Sequence, residues 1–172
     1  MLQRLLSLVL IGLSLSACVS SVATRDTAEG NTAFTLTTIA NAAQQYFEQY
    51  KNRDNLDAFI AHYAEDALLE DMVYGQRIQG RQALRNFYRW DDGSVRLLKD
   101  KTLVIEQQIV DGNTVITRGT FLPFQYHDQR LGPWRFVIWQ SYNHQGLIVH
   151  QMDWINYTPK EMFLGGDDLN NP

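Results

Sequence analysis

The hydrophobic period of this chain changes once, from about 3.6 to 2, at Asp92-Gly93. Before that point apolar residues recur at helical spacing, and after it they alternate. Ile39, Ala42, Ala43, Tyr46, Phe47 and Tyr50 lie on one continuous helical face, with Thr37 or Thr38 placed to cap it. Asn52-Arg53-Asp54-Asn55 breaks this helix and caps a second, on which Leu56, Phe59, Ile60, Tyr63 and Ala64 repeat the pattern. Ala67 to Val73 reads as a short strand, Gly75 to Gly80 as its hairpin return, and Ala83, Leu84, Phe87 and Tyr88 as the inner face of a third helix. Strand-like runs then occupy about 95–110, 114–126, 134–144 and 147–157. Asp111-Gly112-Asn113, Leu131-Gly132-Pro133 and Gln145-Gly146 separate them as turns. Helices first and strands afterwards predict an α+β fold: an antiparallel meander, curved, with the helices packed on one face.

Two stretches stand outside that pattern. Residues 1–17 have a positive start at Arg4 and an apolar run from Leu5 to Leu15, too short to span a bilayer as a helix. They read as a secretory signal. The run ends in Leu15-Ser16-Ala17-Cys18, which resembles the bacterial lipobox. That resemblance implies cleavage before Cys18, lipidation of its sulfur with diacylglycerol, and acylation of the new amine. A plain signal peptide ending near a cysteine is the alternative. Lipidation explains why an exported chain keeps a single unpaired cysteine, and two or more acyl chains anchor stably where one does not. Val19, in place of an inner-membrane retention Asp, points to a bacterial envelope protein held at the outer membrane. Residues 18–34 read as the lipidated cysteine and a flexible tether, 35–158 as the domain, and 159–172 as a C-terminal tail.

Charge and cysteine content remove several classes of function. The formal net charge is −4, from 15 Lys and Arg against 19 Asp and Glu, with no basic run, so no nucleic-acid partner is expected. One cysteine excludes an intrachain disulfide and a Cys-rich zinc site. His62, His127, His144 and His150 lack metal-ligand spacing, and neither a nucleophile elbow nor a phosphate-binding glycine loop is present. The expectation is a domain that needs no metal and no cofactor.

Ala64-Glu65-Asp66-Ala67, Glu70-Asp71, Gly80-Arg81-Gln82-Ala83-Leu84-Arg85-Asn86-Phe87-Tyr88 and the closing run Gly146 to Trp154 resemble the SnoaL-like branch of the nuclear transport factor 2-like superfamily. The resemblance covers roughly residues 36–158. It implies a cone, a strongly bent sheet wrapped on helices around a ligand-sized pocket, in which the last strand carries an inward Asp. Family members include cyclases, isomerases, dehydratases, epoxide hydrolases and proteins that only bind, so the fold does not specify the reaction.

Asp153 is the leading candidate for a general base or acid. It lies among Val149, Met152, Trp154 and Ile155, where an unpaired carboxylate is costly to bury and its pKa rises. The alternative is a partly exposed acid paired with Arg118 or Arg135. Asp71 and Tyr74 follow as catalytic candidates, with Glu70 facing away from Asp71 in a regular strand. His150, three residues from Asp153, falls on the opposite face unless a bulge intervenes. Arg118 could grip a ligand carboxylate or neutralise a nearby acid. Gln140, in phase with Phe136, Ile138 and Tyr142, could orient a ligand, and Trp139, with Trp134, Trp154, Phe121 and Phe124, could line an apolar wall. Two readings follow. One is a cofactor-independent isomerase, cyclase or dehydratase acting on a small apolar or ring-containing compound. The other is a non-catalytic envelope module that binds such a ligand, or that pairs as a homodimer or with a partner through its sheet.

Overall fold

A computed structural model describes residues 25–158 and 166–171, with the side chains of the first helix described from Leu36 onward. Three helices, α1 (Arg25–Asn52), α2 (Leu56–Ile60) and α3 (Arg81–Tyr88), accompany nine strands. These are β1 (Tyr63–Asp71), β2 (Gln76–Gln79), β3 (Val95–Leu97), β4 (Leu103–Asp111), β5 (Thr114–Phe121), β6 (Phe124–Tyr126), β7 (Gln129–Leu131), β8 (Trp134–Tyr142) and β9 (Ile148–Ile155). Six strands form the main sheet in the order β2-β1-β9-β8-β5-β4, and β3, β6 and β7 form a small second sheet. β1 and β9 run parallel, so the sheet is mixed where a purely antiparallel meander was expected.

The helical face read from the sequence is the one that packs. Ile39, Ala43, Tyr46, Phe47 and Tyr50 are buried, against the inner sheet face made by Val115 and Phe121 of β5, Phe136 and Ile138 of β8, and Ile155 of β9. Each large apolar side chain so enclosed contributes about 1.5–3 kcal/mol. Leu84 carries α3 into the same core.

Three expected boundaries move. α1 begins at Arg25, so residues 25–34, read as tether, have helical backbone, and Thr37 and Thr38 lie inside the helix rather than at its cap. The signal segment and Cys18 lie outside the described residues. α2 stops at Ile60, because Tyr63 pairs with Ile148 as the start of β1 and sends its hydroxyl to Tyr46. Tyr63 is fully buried, and in this short segment strand pairing overrides helical spacing. The C-terminal stretch is partly docked: Asn170 Oδ1 accepts from the Arg135 amide and its Nδ2 donates to the Asn156 carbonyl.

β4 and β5 approach one another closely at Gly119. A Cβ there would sit 2.2 Å from the Val104 carbonyl oxygen and 2.7 Å from the Phe136 ring. β4 slips register between Ile105 and Gln107 opposite this point. Only a residue without a side chain allows the two strands to approach so closely.

Candidate functional site

β9 alternates along its length. Gln151, Asp153 and Ile155 face inward and are buried, while Met152 and Trp154 face outward. His150 shares the outward phase and bonds Glu70 at 2.8 Å. This meets the expectation that His150 and Asp153 lie on opposite faces, and that Glu70 and Asp71 do the same.

Asp153 is 4% exposed. Burial pushes its carboxyl up from 3.8 to about 7; the Gln151 hydrogen bond pulls it down and Asp71 pushes it further up. Gln151 Nε2 donates to Asp153 Oδ1 at 2.8 Å. The Gln151 carbonyl oxygen in turn lies within reach of three donors, the Tyr63 hydroxyl at 2.9 Å, the Tyr46 hydroxyl at 3.1 Å and Gln140 Nε2 at 2.9 Å. The Tyr63 hydroxyl also meets that of Tyr88 at 2.8 Å. Burial raises the phenols of Tyr46, Tyr63 and Tyr88 well above their ordinary value, so all three stay protonated. Tyr88 is only half-buried, so the network that begins at Asp153 reaches accessible surface there. It can orient the carboxyl and supply neutral hydrogen-bond donors.

Asp71 is also inward and buried, paired in register with Asp153 across the parallel strands. Its oxygens are already engaged. Oδ1 accepts from the backbone N–H groups of Val73 and Tyr74, each at 2.9 Å, and Oδ2 accepts from the Tyr157 hydroxyl at 2.8 Å. Asp71 therefore closes the turn after β1 and acts on the site through its field on Asp153.

Other expected site residues fall elsewhere. Tyr74 is 66% exposed and stacks on Tyr157 at 4.5 Å, covering the phenol that holds Asp71 instead of entering the interior. Arg118 is in the outward phase of β5, with Glu106 at 3.8 Å, and so lies on the other sheet face from Asp153. Trp139 and Trp154 are outward too, because Phe136, Ile138 and Gln140 hold the inward phase of β8 and Asp153 that of β9. The interior wall is made of tyrosines from α1, β1 and α3, with Phe121 in the core. Gln140 is inward as expected, but its amide is spent on Gln151 and on the Tyr142 hydroxyl, which makes it a brace for Gln151.

Sequence reasoning missed Gln151, Tyr46, Tyr63 and Tyr88. Gln151 was detectable: it stands two residues before Asp153, on the same strand face. The tyrosines read as ordinary helix-face packing, and nothing in their spacing indicates that their hydroxyls meet.

A groove of about 480 Å³ lies on the other side of the sheet, lined by Val73, Arg118, Arg135, Val137, Trp154 and Leu169 among others. Asp153 does not line it. No group of three or more potential metal ligands occurs among the described residues. No helix among them is long and apolar enough to cross a membrane.

A six-stranded mixed sheet packed on helices gives the chain the nuclear transport factor 2-like fold. The chain belongs to the SnoaL-like domain family, whose sequence model matches residues 43–151. Among solved structures it is similar to an NTF-2 like protein of unknown function from Burkholderia xenovorans LB400, at 18% identity, 74% of this chain, 89% of that one and a TM-score of 0.57. It is similar to an LEH-like epoxide hydrolase from M. tuberculosis, at 20% identity, covering 70% and 84% with a TM-score of 0.58. A third is a protein of ketosteroid isomerase-like fold from Catenulispora acidiphila, in complex with trimethylamine, at 12% identity, 66% and 83%, TM-score 0.54. At these identities the likeness carries the fold. None of the curated proteins matches the chain.

Proposed function

We propose that this chain is a cofactor-independent, SnoaL-like enzyme of the bacterial envelope, with Asp153 moving a proton on a small, mostly apolar carbonyl or hydroxyl compound. The observation that carries this reading is the Asp153 carboxyl itself: inward, buried, pushed up to about 7 and oriented by Gln151. An acid poised near neutrality can both accept and return a proton, as isomerisation, cyclisation and dehydration each require. Neutral phenols at Tyr63 and Tyr88 stand on the same network as hydrogen-bond donors. The lipobox-like Leu15-Ser16-Ala17-Cys18 supports lipidation at Cys18, with palmitate among the acyl chains, and an outer-membrane address.

The test is α-hydrogen exchange of a panel of cyclic ketones in D2O, followed by proton NMR. The wild-type chain accelerates exchange of at least one ketone, and Asp153→Asn lowers that rate by about 100-fold or more. Equal exchange in the two proteins would remove Asp153 from catalysis.

A second reading, a binding module without turnover, is favoured by Asp71 and Tyr74. One is fully engaged in a turn and the other faces solvent, so neither stands beside Asp153 as a second catalytic group. In that reading the outward strip of Ile109, Val137, Trp139 and Trp154, each more than a third exposed, pairs two copies through the sheet.

A further inference from the structure

The groove on the outward face of the main sheet is charged at one end and apolar along its length. Arg118, Val137 and Trp154 are register partners across β5, β8 and β9. Arg118 and Trp154 therefore stand two strand spacings apart, about 10 Å. Val73 and Leu169 add to the apolar lining, and both are exposed, Leu169 at 58%. Leu169 is held there by its neighbour. The buried Asn170 accepts from the Arg135 amide at 2.9 Å and donates to the Asn156 carbonyl at 3.0 Å, which fixes the C-terminal stretch against the ends of β8 and β9. Apolar surface gathered in a groove with a few convergent polar groups marks a ligand site. The volume of about 480 Å³ lies within the range of about 300–1,000 Å³ that small ligands occupy.

The polar groups are three. Arg135 shares the outward face with Arg118, and both guanidiniums converge on one acid. Glu106 Oε2 lies 3.8 Å from Arg118 Nε and 3.5 Å from Arg135 Nη2, while its Oε1 accepts from the Thr120 hydroxyl at 3.1 Å. Neither guanidinium makes a hydrogen bond to a described residue. The lining thus carries two cations and one carboxylate, an excess of one positive charge in a chain of net charge −4. Both arginine side chains are exposed, so an incoming anion reaches their donors.

We propose that this groove binds a monoanionic amphiphile, an alkyl carboxylic acid whose carboxylate sits between Arg118 and Arg135 and whose chain runs over Val137 towards Trp154. The site lies on the sheet face opposite Asp153 and is independent of the chemistry proposed there. Guanidinium forks hold a carboxylate with charge-assisted hydrogen bonds, and neither fork is committed to another partner. An excess of one positive charge suits a single negative charge, whereas a phosphate dianion would leave one charge unmatched. Glu106 competes with the ligand for both arginines and sets how tightly the acid is held.

Calorimetric titration of the full chain in zwitterionic detergent, blanked against detergent alone, uses octanoate and octanamide as probes. Octanoate binds at least about tenfold tighter than octanamide, and joint Arg118→Gln and Arg135→Gln substitution brings the ratio near one. Glu106→Gln acts in the opposite direction and tightens octanoate several-fold, because the competing carboxylate is gone. Leu169→Ser weakens both probes alike, since it removes apolar contact and leaves the charges in place. These side chains are exposed, so the variants keep the wild-type melting temperature and lost binding is not lost folding. Asp153→Asn leaves octanoate binding unchanged even where ketone exchange is abolished, so the two sites fail separately. Equal binding of the two probes, or octanoate affinity unchanged in the double arginine variant, would overturn the proposal. Absence of octanoate binding would overturn it too, and a sedimentation mass of two copies would then assign this face to a dimer.

Discussion

At the scale of single residues, Asp153 links stability to pH. Its folded carboxyl titrates at about 7 against an ordinary value of 3.8, a gap on the order of 4 kcal/mol of disfavoured ionisation. Well below pH 3.8 the group is neutral in both states and costs nothing. As pH rises from about 4 to 7, the unfolded chain releases this proton before the folded one does, and stability falls; above about 7 the deficit is constant. Asp153→Asn should therefore gain about 2–4 kcal/mol at pH 8, with most of the gain gone near pH 4. Denaturant unfolding at the two pH values reads this directly, and a pH-independent difference would contradict it. The Asn side chain still offers an oxygen to Gln151, so the hydrogen bond to Oδ1 survives the substitution.

At the scale of elements, the strand phases were legible and their partners were not. Period-two alternation correctly separated Asp153 from His150 and Asp71 from Glu70, because a pleated strand sends successive side chains to opposite faces. The same rule, applied to β8, places Trp139 outward once Phe136, Ile138 and Gln140 are inward. Its assignment to the cavity wall followed its aromatic character and ignored its phase. Tyr74 was misplaced for a different reason. It lies within a turn closed by Asp71 side-chain hydrogen bonds, and such turns leave no strand period to read. The parallel pairing of β1 with β9, which brings Asp71 beside Asp153, joins residues some eighty positions apart and leaves no local signal. Gly119 belongs to this scale as well. Gly119→Ala forces a Cβ against the Val104 carbonyl and the Phe136 ring, and should cost about 2–4 kcal/mol in denaturant unfolding. A neutral substitution would show that the close approach of β4 and β5 is dispensable.

At the scale of the whole molecule, the proposed envelope address and the proposed site rest on separate parts of the chain. The lipobox-like segment precedes the described residues, whereas Asp153, Gln151 and the tyrosines are assembled wholly within the 43–151 family region and its last strand. Cys18→Ser, in cells producing the full chain, should abolish labelling by radioactive palmitate and shift the protein from the membrane to the soluble fraction. Folding and ketone exchange by the released protein should be unchanged. Continued labelling in Cys18→Ser would refute lipidation at this position.

The central claim is that the inward carboxyl of the last strand is an acid poised near neutrality. Carbon-13 NMR titration of aspartate-labelled protein, with the Asp153 signal assigned by its loss in Asp153→Asn, measures this group alone. A midpoint near 7 is the result the buried, Gln151-bound geometry requires. A midpoint at or below 3.8 would mean that Asp153 is an ordinary ionised carboxylate, and the proposed proton transfer would lose its acid.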